Sequence, residues 1–215
     1  MATTSYKTDT DRAFKVGPLD ELDNWKVHSE DCDIRGWHLY AGTGEKIGTV
    51  ESLIADTEAK EVRYIEVQLD STINKYRDLK YRQGISPSYQ THFGKDDDQY
   101  VLLPIGLINI DEDDKKTYAS SNLTTGIFAS SPRYRGYKNA RIQPGYELAV
   151  AKYYSNLDDN YRDYYNEKDF DFDSFNNSPY VMNRKFYTSD LFSRDRYWSR
   201  YNTPRMAGAQ TGRIA

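Results

Sequence analysis

The sequence predicts a mainly β protein: a small antiparallel β-barrel with one or two short helices and a largely disordered C-terminal tail. Residues 62–69 alternate between faces, as a half-buried strand does. Clusters of turn-forming residues separate this run from its apolar neighbours, which is the pattern of consecutive antiparallel strands. Ile, Val and Leu are concentrated between Val27 and Val150 and are nearly absent after Leu157. One core therefore forms in the first three quarters of the chain.

The first half of this region predicts three strands joined by two turns. Residues 33–40 form the first strand, and the glycines of 41–45 favour a turn because glycine adopts positive φ at little cost. Residues 46–56 return as the second strand and, after a turn at 57–60, residues 62–69 form the third. The expected inward side chains, allowing for a bulge in the second strand, are Ile47, Val50, Leu53, Ile54, Ile65, Val67 and Leu69, whereas Glu66 and Gln68 face outward.

The second half predicts shorter elements after a long insertion at residues 71–99, which is rich in Tyr, Lys, Arg, Ser and Asp. The elements expected in chain order are two strands within 100–110 that meet at 104–106, a charged turn at 111–116, a strand at 117–121, one or two helical turns at 123–129 and a helix at 146–154.

The chain divides into three parts by composition. Residues 1–20 are polar and predicted to be disordered, 21–155 form one domain with the 71–99 insertion, and 156–215 form a polar and aromatic tail of low complexity. The tail has too few aliphatic side chains to offset the entropy lost on ordering. We therefore predict that 1–155 folds alone.

The bulk properties exclude several classes of protein. The 215 residues carry a formal net charge of −4, which argues against strong nonspecific binding to nucleic acid or to an anionic membrane. A single cysteine, Cys32, excludes an internal disulfide and fits a reducing compartment. The N-terminus has no apolar signal region, and the longest apolar stretch, 100–110, is about half the roughly 20 residues of a spanning helix. These features predict a soluble, cytoplasmic protein.

No pattern of residues predicts a catalytic, cofactor-binding or metal site. The glycines at 42, 44 and 48 have the wrong spacing for a dinucleotide fingerprint and precede a strand, so they indicate a turn. His28, His38 and His92 lack the local pairing of zinc ligands, and the acidic runs 96–98 and 111–114 lack the alternation of a calcium loop. Cys32 and His38 form a conceivable nucleophile pair, but no third group supports it. The sequence thus predicts a protein that is not an enzyme.

Two clusters of basic and aromatic residues are candidate contact surfaces. In the insertion they are Tyr76, Arg77, Lys80, Tyr81 and Arg82, and in the tail Arg196, Tyr197 and Trp198. Tyr, Trp and Arg are enriched at binding hot spots, and function often lies on loops held by a rigid scaffold. The alternatives are a solvated loop that covers the barrel and, for the tail, plain disorder.

Four short motifs occur in an order that resembles the PRC-barrel family, which is named after the cytoplasmic part of the photosynthetic reaction-centre H subunit. They are R-G-W at 35–37, K-I-G at 46–48, V-R-Y-I at 62–65 and L-L-P-I-G at 102–106. A likeness to the H subunit itself continues through F-A-S-S-P-R-Y at 128–134 and the helix that ends in A-K-Y-Y. The chain departs from that subunit in lacking its membrane helix, and in having Thr125 where the subunit has an acidic residue implicated in proton supply.

The resemblance implies a PRC-type barrel that acts as an adaptor in a bacterial cell. The expected function is a non-enzymatic protein-interaction module, H-subunit-like or stress-related, with a protein partner and no cofactor. The resemblance also allows self-association and a place in a peripheral complex at the cytoplasmic membrane face. The alternative is an RNA- or ribosome-associated factor that resembles the barrel domain of a ribosome-maturation protein. It predicts salt-dependent RNA binding that is lost on neutralising Arg77, Lys80 and Arg82.

Overall fold

A computed structural model describes residues 16–22, 25–29, 31–76, 99–157, 165 and 184–193. In these residues, seven strands form one curled sheet, accompanied by two α-helices and short 3-10 turns. The mainly β fold with short helices that the sequence predicts is confirmed. The strands are β1 (Val16–Pro18), β2 (His38–Tyr40), β3 (Lys46–Asp56), β4 (Glu61–Leu69), β5 (Tyr100–Pro104), β6 (Ile108–Asp111) and β7 (Lys116–Ala119), and the helices are α1 (Thr125–Ser130) and α2 (Pro144–Ser155). The 3-10 turns are Leu19–Glu21, Ser71–Tyr76, Ile105–Leu107, Arg184–Thr188 and Asp190–Phe192.

Strand β3 organises the sheet, whose order is β5-β4-β3-β2-β7-β6 with β1 also paired to β3. Over its 11 residues β3 pairs with β4, and it meets β2 near its start and β1 at its end. All pairs are antiparallel except β2 with β7, which run parallel. This parallel pair joins the first part of the sheet to the last and so curls it.

The central hairpin of β3 and β4 forms where the sequence predicts it. The two strands occupy 46–56 and 61–69, and the pairing register shifts between Val50 and Ser52, so the expected bulge is present. Gly48 lies where the two backbones approach closely, since a Cβ there would be 2.1 Å from the carbonyl oxygen of Gln68. The close approach of the two backbones therefore explains why a glycine occupies this position of the K-I-G motif.

The inner face of the sheet is filled with aliphatic side chains. We call Val50, Ile65, Val67 and Leu103 the sheet core; each has 0% of its surface exposed. Ile65 pairs with Leu103, and Val67 pairs with Val50, so these side chains meet across neighbouring strands. Burying each one contributes roughly 1.5–3 kcal/mol to folding.

Two strand predictions need correction at their ends. The strand expected at 33–40 covers only His38–Tyr40, because Asp33 instead accepts hydrogen bonds from the amide and the guanidinium of Arg35. Gly36 then takes a φ of +79°, which turns the chain before the strand begins. The strand expected at 117–121 runs from Lys116 to Ala119.

The outward face of β4 is not solvated as its alternation predicts. Glu66 is only 4% exposed, because the segment that follows α1 covers it. The hydroxyl of Tyr134 and the amide of Tyr137, the latter at 2.7 Å, both donate to Glu66 Oε1. Burial raises the pKa of the Glu66 carboxyl, while these two hydrogen bonds oppose the rise. A layer of polar and aromatic groups therefore lies on the outer side of the sheet.

Part of the segment predicted to be a tail packs on this outer side. Residues 184–193, which we call the strap, bury Phe186, Leu191 and Phe192 to 2% exposure or less. The Tyr165 hydroxyl donates to the carbonyl of Phe186 at 2.8 Å and lies 2.6 Å from Ser189 Oγ. At the other end of the chain, β1 shows that ordered structure begins by Val16, within the segment predicted to be disordered.

Candidate functional site

An open cleft of about 580 Å³ lies beside the turn between β3 and β4. Residues 25–28, 31, 32 and 34 form one wall, and the strap contributes Phe192. The floor is apolar, with Leu53, Val62 and Ile105 among its residues. The rim contains the cations Lys26 and Lys60, the carboxylates Asp31 and Glu61, and the imidazole of His28. The cleft thus combines an apolar interior with a polar entrance, as sites that accept a protruding side chain do.

The turn at 57–60 positions the charged side of the rim. Asp56 accepts hydrogen bonds from the amides of Glu58 and Ala59 at 2.9 and 3.0 Å, which closes the turn. Lys60 takes a φ of +59° there. Glu61 is held by Arg63, whose Nη1 lies 2.7 Å from Glu61 Oε2. The rim is therefore built on the hairpin formed by the two longest strands of the described residues, β3 and β4.

The cysteine in the cleft is poorly suited to nucleophilic catalysis. Burial, together with the negative charges of Glu112 and Asp33, raises the pKa of the Cys32 thiol. A thiol needs a lowered pKa or an adjacent base to become a reactive thiolate. Burial and the two carboxylates outweigh the charge of Lys115, which acts in the opposite direction, so the Cys32 thiol is not activated.

A buried carboxylate cluster lies on the other side of the strap. Glu147, on α2, is 3% exposed and accepts a hydrogen bond of 2.5 Å from the Tyr187 hydroxyl. The guanidinium of Arg63 lies 4.6 Å from the centre of the Tyr187 ring, within the range of a cation-π contact. Arg63 also lies 3.5 Å from Asp56, so one hydrogen-bonded and charged group of residues joins β3, β4, α2 and the strap.

The environment of Glu147 favours its neutral form. Burial raises the pKa of this carboxyl to about 7, and the charge of Asp56 adds to the rise. The Tyr187 hydrogen bond and the charge of Arg63 oppose it. The buried Tyr64 hydroxyl also faces the carboxylate, although its geometry falls short of a hydrogen bond. Glu147 therefore titrates near neutral pH.

Helix α2 holds Glu147 in place by being buried almost all round. It begins at Pro144, a residue whose fixed φ suits the first turn of a helix, and residues 145–151 are all buried. Sequence reasoning missed Glu147. The available signal was a single acidic residue in the apolar run Y-E-L-A-V-A, where a charge is costly unless it is paired.

Of the predicted contact residues, the structure describes Tyr76. It ends the 3-10 turn Ser71–Tyr76, has 46% of its surface exposed, and has Lys75 Nζ 4.8 Å from its ring centre. The turn is anchored by the buried Ile73 and by a 3.2 Å hydrogen bond from Arg133 to Asn74. The base of the insertion thus presents Tyr76 from a fixed position. The other predicted residues lie outside the described part of the chain: Arg77, Lys80, Tyr81, Arg82, Arg196, Tyr197 and Trp198.

The described residues lack two features that would have indicated other functions. No group of three or more His, Cys, Asp or Glu side chains there has an arrangement that could hold a metal ion. No helix there is long and apolar enough to cross a membrane.

Comparison with known families identifies the central part of the chain. Residues 27–119 match the family model of the PRC-barrel domain. No curated protein matches the chain significantly. The predicted PRC-barrel is confirmed for residues 27–119, which include β2 to β7 and much of the cleft. The finer likeness to the reaction-centre H subunit stays a prediction.

Proposed function

We propose that this protein is a non-enzymatic interaction module whose barrel presents the cleft and the base of the insertion to a protein partner. An enzyme generally combines an accessible pocket with titratable groups of perturbed pKa. The observation that carries the proposal is that two such carboxyls do not line the cleft. Neither Glu66 nor Glu147, the two buried carboxyls whose pKa is raised, lines the open cleft, and tyrosines cover both.

The interior of the sheet supports the same conclusion. The sheet core is fully buried, so its apolar side chains fill the inside of the curled sheet. Active sites generally place perturbed titratable groups in an accessible pocket. Here Glu66 and Glu147 are buried under Tyr134 and Tyr187 and do not line the cleft. PRC-barrel domains are also generally non-catalytic.

The chemistry of the cleft favours a protein segment as its ligand. The apolar floor suits one bulky apolar side chain, and the rim offers both cations and carboxylates to the residues that flank it. A nucleic acid would favour a surface dominated by cations. Tyr76 supplies a second exposed contact of a type enriched at protein interfaces.

The proposal is tested by crosslinked pull-down from the native cell, with the full-length chain as bait and mass spectrometry as the readout. Val62→Lys places a charge at the edge of the cleft, and Tyr76→Ala removes the exposed ring. Asp113→Lys, in the exposed turn between β6 and β7, serves as the matched surface control. We expect a specific protein that the wild type and the control capture and that at least one of the other two variants loses. Identical captures by all four baits would contradict the proposal.

The RNA-associated alternative depends on Arg77, Lys80 and Arg82, which lie outside the described residues. Its test is binding of the full-length chain to total cellular RNA across a salt series. Salt-dependent binding that is abolished when these three residues are neutralised would favour the RNA-associated function over the protein-partner proposal.

The location of the protein in the cell is a separate question. Cell fractionation distinguishes a cytoplasmic protein from one held at the membrane face.

A further inference from the structure

We propose that the strap is a pH-sensitive latch, which docks on the outer face of the barrel more tightly when the buried Glu147 carboxyl is neutral than when it is ionised. This inference is independent of the proposed function, because it concerns a contact within the chain. It follows from three observations: how the strap is held, which groups face Glu147, and what ionisation costs at that position.

The strap is held by a compact set of aromatic contacts. Phe192 packs edge-on against Tyr64 of β4, with ring centres 5.1 Å apart. Phe186 and Tyr187 each lie within 5.6 Å of the Phe192 ring centre. The turn Ile105–Leu107 meets the strap at Gly106, where a Cβ would be 2.3 Å from the Asp190 carbonyl oxygen. The docked position is therefore specific in geometry, and a single added methyl group would disturb it.

A polar contact crosses from the strap to helix α2 and ends on the titratable group. The Tyr187 hydroxyl donates to Glu147 Oε1 at 2.5 Å, and both side chains are buried. Removal of the strap would take away the Tyr187 ring that covers this carboxylate. Water would then reach Glu147, and solvation stabilises the charged form.

The groups that face Glu147 come from each element packed around it. Tyr187 belongs to the strap, Tyr64 and Arg63 to β4, and Asp56 to β3. The Arg63 charge is shared with Asp56 at 3.5 Å and with Glu61 at 2.7 Å. Because two other carboxylates already compensate Arg63, the guanidinium does not fully compensate an ionised Glu147.

The direction of the pH effect follows from proton linkage. The pKa of Glu147 is about 7 in the docked state against an ordinary value of 4.5. Under the proposal, solvation after release moves the pKa toward that ordinary value. Well below pH 4.5 the carboxyl is neutral in both states, and docking has its full strength. As the pH rises from there to about 7, release is accompanied by loss of a proton, so docking weakens. For these two values the docking constant falls about tenfold between pH 6 and pH 8.

Native-state hydrogen exchange, read by mass spectrometry on the full-length chain, tests the latch. Peptides that cover 186–193 report the strap, and peptides that cover β4 report the intact barrel in the same sample. After correction for intrinsic exchange rates, we expect the protection factor of the strap to be about tenfold higher at pH 6 than at pH 8. The ratio of the β4 protection factor to the strap protection factor is then lower at pH 6 than at pH 8.

Glu147→Gln is the decisive variant, because the amide keeps the shape and the acceptor oxygen but does not titrate in this range. We expect equal strap protection at pH 6 and pH 8 in this variant. A wild-type pH response that persists in Glu147→Gln would overturn the proposal, as would a wild type whose strap shows no response.

If β4 shows no protection in Glu147→Gln, that variant has not folded. Two further variants then test the latch. Tyr187→Phe removes a hydrogen bond that favours the ionised form, so the midpoint of the pH response should move upward. Gly106→Ala should remove strap protection at both pH values while β4 stays protected. An unchanged midpoint in Tyr187→Phe would contradict the role of Glu147.

Discussion

The two faces of the sheet are built from different chemistry. The inner face is aliphatic: Val50, Ile65, Val67 and Leu103 meet one another with no exposed surface. The outer face over β4 holds Tyr64, Glu66 and Arg63, and other parts of the chain cover it with tyrosines and a buried carboxylate. An aliphatic face has a stability that is almost independent of pH. A polar and aromatic face depends on protonation and on single hydrogen bonds.

This difference indicates that the inner face determines the fold, whereas the outer layer contains the groups that can respond to pH. The inner face lies within the region that matches the PRC-barrel domain, and the strap and α2 lie beyond it. The stability of the barrel core is therefore almost independent of pH. The outer layer adds Glu147, whose pKa is raised to about 7, so we expect the contacts of this carboxyl to respond to pH. The following variants test this division, beginning with the one expected to have the largest effect.

Leu103→Ala should lower the free energy of unfolding by about 2–5 kcal/mol, because it leaves a cavity in the sheet core. Chemical denaturation measures the loss. Leu157→Ala makes the same chemical change at a half-buried position just after α2 and should cost less than about 1 kcal/mol. Equal costs at the two sites would mean that the inner face is not the dominant source of stability.

Gly106→Ala should cost about 1–3 kcal/mol, because the new methyl group would meet the carbonyl oxygens of Asp190 and Leu191 at 2.3 and 2.6 Å. Gly17→Ala in β1 is the control: its nearest contact is the Tyr137 hydroxyl at 3.6 Å, an ordinary distance. The control should be within about 0.5 kcal/mol of the wild type. A Gly106→Ala protein as stable as the control would show that the strap adds little to the fold.

Tyr187→Phe and Tyr64→Phe form a matched pair around Glu147. The first removes a hydroxyl that donates to the carboxylate at 2.5 Å and should cost about 1–2 kcal/mol at pH 8. The second removes a buried hydroxyl that faces the carboxylate with poorer geometry, so its cost should be smaller than that of Tyr187→Phe. Thermal denaturation at pH 8 checks both. The reverse order would indicate that Tyr64 is the true partner of Glu147.

Tyr76→Ala should change stability by less than about 0.5 kcal/mol, because 46% of the side chain is exposed and its turn is anchored by other residues. Chemical denaturation provides the measurement. A loss above about 1 kcal/mol would show that the ring supports the fold. Any loss of partner binding in this variant would then have a structural cause.

The sequence predicted the inner face well because its signal is local. The strands at 46–56 and 62–69 follow from alternation and from the turns that bound them, and the structure has them within a residue. Register within a hairpin is set by neighbouring residues, so a short window contains the information. The same reasoning placed Val50, Ile65 and Val67 inside.

The outer layer could not be predicted because its contacts are remote in sequence. Glu66 looked solvated in its own strand and is buried by Tyr134, 68 residues later. Tyr187 reaches Glu147 across 40 residues of a region whose composition is typical of disorder. Alternation reports which face a residue is on, but not whether another segment covers that face. For this reason the cleft, Glu147 and the strap were found only in the structure.

The insertion leaves the sheet at the end of β4 and rejoins it at the start of β5, and this position affects how far the length of the insertion can change. The amide of Leu69 bonds to the carbonyl of Gln99 at 2.8 Å, so the ends of the 70–98 segment are clamped together by β4 and β5. Closing such a loop costs only about 0.6 kcal/mol more for each doubling of its length. We therefore expect the barrel to fold with shorter or longer sequences between Tyr76 and Gln99, as long as Ile73 and Asn74 keep their anchoring contacts. We expect an epitope, a fluorescent reporter or a whole domain to be accepted at this position.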